Sequence, residues 1–246
     1  MSSILQLGDR TISPTELILM LANYQMLPQL GRELLVDKAT ASLQLSTAES
    51  AIAIEQYYKK YQITTPAECQ TFLQRYGMSV SQLEAFAIRE AKIEKFKLIT
   101  WEHKLESFFL AHKSKLDKVI YSVLRTHEPE LAQELYFRIQ AKEQSFAECA
   151  EHYSQGIEAQ TSGLIGPVEL SIPHPLLSKM LAVSQPGQLL PPTRFGDWFL
   201  VVRLEKFIPA VFDQAMRQKL LNELFKQWLN EQTNQIRVVE KELVAL

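Results

Sequence analysis

The middle of the chain contains Val119-Ile120-Tyr121-Ser122-Val123-Leu124-Arg125, a short run whose β-branched and aromatic residues predict a strand. The segments that follow predict helices at about 129–141, 145–153 and just after Pro175, and strands near 188–192 and 198–205. Helices and strands are mixed here without a regular strand–helix–strand repeat. This order favours an α+β domain, in which helices surround a small and mostly antiparallel sheet.

The chain before this stretch carries four helix-start signals of one kind, in which a Ser or Thr is followed three residues later by Glu or Gln. They are Ser13-Pro14-Thr15-Glu16, Ser46-Thr47-Ala48-Glu49, Thr65-Pro66-Ala67-Glu68 and Ser79-Val80-Ser81-Gln82. Such closely spaced starts indicate a helical lobe with short connections. We place its helices near 14–27, 29–43, 47–61, 66–76 and 80–112, after a possible hairpin that turns at Gly8-Asp9.

The chain after the stretch returns to a helical pattern at Asp213, with one apolar face formed by Met216, Leu220, Leu224 and Trp228. A helix so apolar on one side needs a partner surface, and the N-terminal lobe is the nearest candidate. We therefore predict a helical lobe at 1–113, an inserted α+β domain at 114–209, and a C-terminal helix within 210–246 that packs back on the lobe. The tail Ile236-Arg237-Val238-Val239 is ambiguous between helix and strand.

Composition and charge exclude several classes of function. The 246 residues carry a net charge of −2 and no long basic run, which argues against nucleic acid as a partner. No run approaches the roughly 18 apolar residues of a membrane span. The first ten residues lack the basic and apolar regions of a signal peptide, so we expect a cytoplasmic location. Neither the two cysteines nor the histidines have metal-type spacing, and we expect no metal and no other cofactor.

The framework residues of the central stretch resemble those of a known family. Gly163, Gly166, Gly187 and Gly196 stand at its framework glycines, and Phe146-Ala147 precedes Ser154 as in parvulin-type (PpiC-like) peptidyl-prolyl cis-trans isomerases. The run Leu7-Gly8-Asp9-Arg10-Thr11-Ile12-Ser13 is similar to the opening of SurA-like chaperones, in which a helical lobe follows directly. The resemblance covers nearly the whole chain and implies a SurA-like helical lobe with an inserted parvulin-like domain.

The residues at the family's catalytic positions are different in this sequence. The resemblance places Ser122 and Trp198 where the family's enzymes carry two His, and Gly156 where they carry a Cys or Asp. These His are implied to support the groove through hydrogen bonds, so we predict weak or no isomerase activity and assign no catalytic residue. Arg125 and His127 follow the first strand, where some parvulins bind phosphate, and we interpret this pair as a solvated edge.

A groove without that network can still bind a peptide through an apolar floor. The Met, Gln and Phe positions of the family's proline pocket fall on Pro173, His174 and Leu177. The predicted peptide-binding residues are Leu124, Pro173, His174, Leu177, Phe195 and Trp198. The leading interpretation is a foldase or chaperone whose partners are unfolded or extended polypeptides, including proline-containing ones.

Two other interpretations stay open at this point. An active isomerase with an altered active site requires Ser122 and Trp198 to face one groove. A non-enzymatic adaptor that docks on a single protein partner would instead present a large apolar patch with a polar rim on the helical lobe. The sequence does not indicate the identity of clients, the oligomeric state or the angle between the lobes.

Overall fold

The computed structural model describes residues 5–235 and divides the chain into two compact units. Unit 1 takes in the chain up to Leu105 and again from Arg217 onward, and unit 2 is the inserted segment Glu106–Met216. Unit 2 thus extends further at both ends than the predicted limits of 114 and 209. One reason is that Phe109 packs on Phe212, with ring centroids 5.3 Å apart, which ties both flanks to this unit.

Unit 1 is helical apart from a short hairpin, β1 (Leu5–Leu7) with β2 (Arg10–Ile12). Its helices are α1 (Pro14–Asn23), α2 (Leu27–Thr40), α3 (Thr47–Lys60), α4 (Pro66–Tyr76), α5 (Val80–Trp101) and α10 (Gln214–Thr233). The hydroxyls of Ser13, Ser46, Thr65 and Ser79 each accept the backbone N–H three residues on. Along the described chain, no helix is both long enough and apolar enough to span a bilayer.

The helix predicted over 80–112 is two helices in the structure, and this prediction was wrong. α5 ends at Trp101, a turn of 3₁₀ helix spans Glu102–Lys104, and α6 (Leu105–Leu116) follows. The backbone of Trp101 leaves the helical region, with φ at −127°, while its indole is buried in an aromatic cluster. The ambiguous run 236–239 lies outside the described residues.

That aromatic cluster joins α5 to α10, so the C-terminal helix packs on a helix of unit 1. The rings of Phe96, Trp101, Phe225 and Trp228 lie with centroids between 5.2 and 6.4 Å apart. Lys97 is buried beside it, donates to Glu94 Oε1 (2.6 Å) and Asn222 Oδ1 (2.7 Å), and lies 5.0 Å from the Phe225 ring centre. A buried ammonium is stable there because each of these contacts compensates its desolvation.

Replacing Lys97 with alanine is expected to lower the stability of unit 1 by about 2–3 kcal/mol, because Asn222 loses its partner and a cavity forms. Lys97→Met should cost less, since it keeps the volume of the side chain without its charge. Urea unfolding followed by the fluorescence of Trp101 and Trp228 checks this, in a Trp198→Phe background that removes the third tryptophan. Equal stability of Lys97→Ala and the parent would contradict the account.

Unit 2 contains a four-stranded antiparallel sheet in the order β4-β3-β6-β5. The strands are β3 (Lys118–Thr126), β4 (Leu164–Glu169), β5 (Leu189–Phe195) and β6 (Trp198–Ile208). α7 (Pro129–Gln140), α8 (Phe146–Tyr153) and α9 (Pro175–Val183) surround the sheet. The sequence did not predict β4, because Gly166-Pro167 inside it is typical of a turn. The strand tolerates proline because it lies at an edge of the sheet.

Each face of this sheet covers a separate core. On the α9 face, Val119, Tyr121 and Val123 of β3 pack with Leu177 and Leu181. On the opposite face, Leu124 and Val201 pack with residues of α7 and α8, among them Leu135, Phe146 and Cys149. Both cores follow from the strict alternation of side chains along a strand. Together, the helical unit and the inserted unit confirm the predicted α+β fold class.

Candidate functional site

The positions of Ser122 and Trp198 are set by strand alternation, which puts them on opposite faces of the sheet. Ser122 is opposite Arg203 in the register, its buried hydroxyl donates to Glu205 Oε1 (2.5 Å), and Arg203 Nε donates to the same oxygen (2.8 Å). Trp198 is opposite Phe195, which packs on the α9 core. An active isomerase built from Ser122 and Trp198 therefore loses its geometric basis.

Leu124 shares the face of Ser122 and is fully buried against α7 and α8. The expectation that it lines an apolar floor with Trp198 was wrong, because residues at even and odd positions of β3 point to different faces. Leu177 does lie on the α9 face, but it is buried in the core and supports the surface from below. Neither side chain is available to a peptide.

Two pairs of aromatic rings lie at the β5–β6 turn, and we call their residues, His127, His174, Phe195 and Trp198, the aromatic strip. The His174 ring meets Phe195 edge to face at 5.5 Å, and Phe195 is the register partner of Trp198. His127 stacks on Trp198 with centroids 3.7 Å apart, and its Nδ1 lies 2.9 Å from the carbonyl oxygen of Asp197. The two histidines are exposed, and the other two rings are half-buried.

An ion pair stands next to the strip. Arg125 lies with its guanidinium 5.6 Å from the Trp198 ring centre and donates through Nε and Nη2 to the two oxygens of Glu158, at 2.8 and 2.5 Å. Ser154 Oγ also donates to Glu158 (2.6 Å). Burial by itself would raise the pKa of Glu158, but the hydrogen bonds from Arg125 and Ser154 outweigh it and hold this pKa below its ordinary value. The carboxylate is therefore ionised at neutral pH.

Gly156 makes room for this ion pair. A Cβ built on Gly156 would lie 2.3 Å from Arg125 Nε and 2.3 Å from Glu158 Oε2. The position at which the resemblance implies a catalytic Cys or Asp is thus occupied in space by the guanidinium–carboxylate pair. The interpretation of Arg125 as part of a solvated edge was wrong, since two of its nitrogens bind a buried carboxylate.

Gly156→Ala is expected to destabilise unit 2 by about 2 kcal/mol, because its methyl group would have to displace Arg125 and Glu158. The backbone of Gly156 is extended (φ −110°), so a change of backbone strain does not contribute. Gly187→Ala is the matched control: it has open space but a φ of +84°, and should cost about 1 kcal/mol. Thermal unfolding measures the stability that each variant loses. A smaller loss of stability in Gly156→Ala than in Gly187→Ala would contradict this prediction.

The remaining predicted site residues divide between two surfaces. His174, Phe195 and Trp198 come together in the aromatic strip, whereas Pro173 lies toward a different groove, next to α6. The sequence analysis missed Glu158 because it lies in a 3₁₀ turn, Ile157–Thr161, without a recognisable motif. The glycine at position 156 was a usable signal in the sequence, because a residue without a side chain leaves space for a nearby side chain such as that of Glu158.

Comparison with known proteins identifies the type of the inserted domain. Residues 125–206 match the family model described as "Rotamase: PPIC-type PPIASE domain". No curated protein matches the chain. The solved structure of the peptidylprolyl isomerase PrsA from Bacillus anthracis is 15% identical, with coverage of 86% of this chain and 100% of that one and a TM-score of 0.49.

Two further solved structures are similar over different lengths. One belongs to the pair PEB4 and Cj1289, described as SurA-like chaperones of Campylobacter jejuni, with 19% identity, 96% and 99% coverage and a TM-score of 0.36. The other is the parvulin domain of PpiD from E. coli, with 25% identity, 40% and 95% coverage and a TM-score of 0.35.

Proposed function

We propose that this chain, which belongs to the PPIC-type rotamase family through its residues 125–206, is a peptide-binding foldase or chaperone with weak or no prolyl isomerase activity. The observation that carries the proposal is the pairing of an accessible aromatic strip with an internally satisfied ion pair. The strip offers binding surface, and the ion pair stands where a reactive polar group would be needed.

Isomerisation demands more of a site than binding does. The peptide bond rotates over a barrier of about 18–20 kcal/mol, and an enzyme lowers it with donors held ready for the twisted amide in a dry site. Two of the donors of Arg125 are already committed to Glu158, and Ser122 is on the other face of the sheet. The residues around Trp198 therefore offer few free hydrogen-bond donors that could stabilise the twisted amide of the transition state.

Binding, by contrast, needs only complementary surface. Aromatic side chains bury large areas at a low cost in side-chain entropy, and Trp is enriched among the residues that dominate binding energy. The Trp198 ring is held in place on one side by His127 and flanked by Arg125, so it does not have to be ordered by the ligand. An extended segment with proline or aromatic residues fits this surface best.

A titration of ¹⁵N-labelled protein with an unstructured proline-containing peptide tests the proposal. We expect chemical-shift changes at His174, Phe195 and the Trp198 indole N–H, with small changes at Leu124 on the opposite face. A saturating peptide that leaves the aromatic strip unchanged would contradict it. We also propose a cytoplasmic site of action, which localisation of the full-length protein in its own cells would test.

An exposed apolar surface on α1 and α2 favours a second function, docking on one protein partner. α1 has no buried residue, and large side chains are exposed on α1, on α2 and on the short connection between them: Ile18, Leu19, Tyr24, Met26, Leu30 and Leu34. A double Ile18→Ser/Leu19→Ser variant separates the two functions. Loss of protection of an unfolded model protein against aggregation would assign this surface to clients, and unchanged protection favours the adaptor.

A further inference from the structure

Unit 2 has a groove between the end of α6 and the start of α9, which adjoins the aromatic strip at His174. Its volume is about 480 Å³, which is within the range of sites that bind ligands in proteins. The apolar part of its wall is formed by Leu170, Pro173, Pro175 and Ala182. The loop that leads from β4 to α9 is hydrogen-bonded to the end of α6 and the residue after it. The N–H of Ser171 donates to the carbonyl of Lys115 (3.2 Å), and the N–H of Leu170 donates to the carbonyl of Asp117 (2.9 Å).

The polar side chains of this groove can all donate hydrogen bonds, and of these only Ser178 is seen to do so within the described residues, to the carbonyl oxygen of Pro173 (3.2 Å). Lys115 and Lys179 are exposed on its rim, and within residues 5–235 neither ammonium has a carboxylate at ion-pair distance. Nor do the side chains of Ser114 and Ser171 bond to other described residues. An ammonium offers donors and no acceptor, so a ligand must bring the acceptors.

The sign of the charge distinguishes this groove from others on the described surface. One groove is lined by Glu134 and Glu143 with Arg138, a second by Glu90 and Glu94 with Lys60, and a third by Glu55 with Lys59. Each therefore contains its own carboxylates. The groove beside α9 is lined by two lysines and no acidic residue, in a chain whose net charge is −2.

We propose that this groove binds an acidic, amphipathic polypeptide segment, in which apolar side chains cover the Leu170 floor and flanking carboxylates reach Lys115 and Lys179. Apolar surface continues beside it, because Ile172, Leu176 and Val183 are 71%, 44% and 85% exposed. The groove adjoins the aromatic strip at His174 and differs from it by the positive charge of its lysines. It would let the domain select client segments rich in Asp and Glu.

The test uses the full chain and a fluorescein-labelled peptide of alternating Leu and Glu residues, with a Leu/Lys peptide for comparison. Fluorescence anisotropy is expected to give tighter binding of the Leu/Glu peptide, weakened by added salt. Lys179→Glu should weaken it by about fivefold, because it removes one exposed ion pair and adds a repulsion. Lys226→Glu makes the same charge change on an exposed residue of α10 and should leave the affinity within about twofold.

Two outcomes would overturn the proposal. Equal affinities for the two peptides would remove the charge selectivity, and an equal loss in Lys179→Glu and Lys226→Glu would show an effect of net charge alone. The variant Trp198→Ala separates this inference from the proposed function, since it should keep its affinity for the proline-free Leu/Glu peptide. A loss of that affinity in Trp198→Ala would place the acidic peptide on the aromatic strip and contradict a second site.

Discussion

Replacing Glu158 with alanine is expected to destabilise unit 2 by about 3 kcal/mol, because the guanidinium of Arg125 then lies in a partly buried place without its counter-ion. Ser154 loses the acceptor of its hydroxyl in the same change. Hydrogen exchange at the amides of Val201 and Val202, in the centre of the sheet, reports the opening of this unit separately from unit 1.

Glu143→Ala serves as the control for the Glu158 variant, since it removes an exposed carboxylate of the same unit and should change the stability by less than about 0.5 kcal/mol. If the free energy of opening of unit 2 is the same in the two variants, the ion pair does not stabilise the site.

The Glu158 carboxylate also gives the stability a predictable dependence on pH. Its pKa in the folded state is lowered, so its contribution is fully present above the ordinary pKa of about 4.3. That contribution is lost as the pH falls through the lower folded-state value. The difference in stability between the parent and Glu158→Gln should therefore be largest near neutrality and shrink in acid, and a difference that grows in acid would contradict the assignment.

Trp198→Ala is expected to weaken binding of a proline-containing peptide by about 30-fold, the loss typical of a central tryptophan in a binding surface. The variant removes the ring on which His127 stacks and which Arg125 flanks, so this part of the strip loses its largest apolar surface. Isothermal titration calorimetry measures the change in Kd, and hydrogen exchange shows whether unit 2 stays folded.

Phe137→Ala is the matched control for the Trp198 variant. Phe137 is an aromatic residue of α7 that is 55% exposed, and α7 packs against the face of the sheet opposite the strip. Its removal should leave the affinity unchanged. Equal losses in the two variants would mean that the peptide binds through exposed apolar surface in general.

The sequence predicted the elements of the fold well where the local signals were strong. The Ser and Thr caps define the starts of α1, α3, α4 and α5, and the capping groups lie as expected. The long predicted helix is broken at Trp101, whose indole packs on Phe225 and Trp228, residues more than a hundred positions away. Local periodicity carries no information on such a contact.

The candidate site was predicted only in part. The predicted and observed sites differ because some of the strand residues point to the opposite face of the sheet. A similarity in sequence order placed Ser122, Leu124 and Trp198 together, but a shift of one position along a strand moves a side chain to the other face. The register between β3 and β6 is irregular at Ile120/Tyr121, where Glu205 is the extra residue of β6. That irregularity cannot be read from one strand alone.

Exchange spectroscopy on the cis and trans proline signals of a bound peptide tests the central claim most directly. We expect that substoichiometric protein leaves the time constant of cis–trans exchange near its uncatalysed value of tens of seconds. The peptide should still shift the signals of Phe195 and Trp198 in the labelled protein. Exchange that is clearly accelerated under these conditions would contradict the account, since the domain would then be an active isomerase whose catalysis does not need the family's histidines.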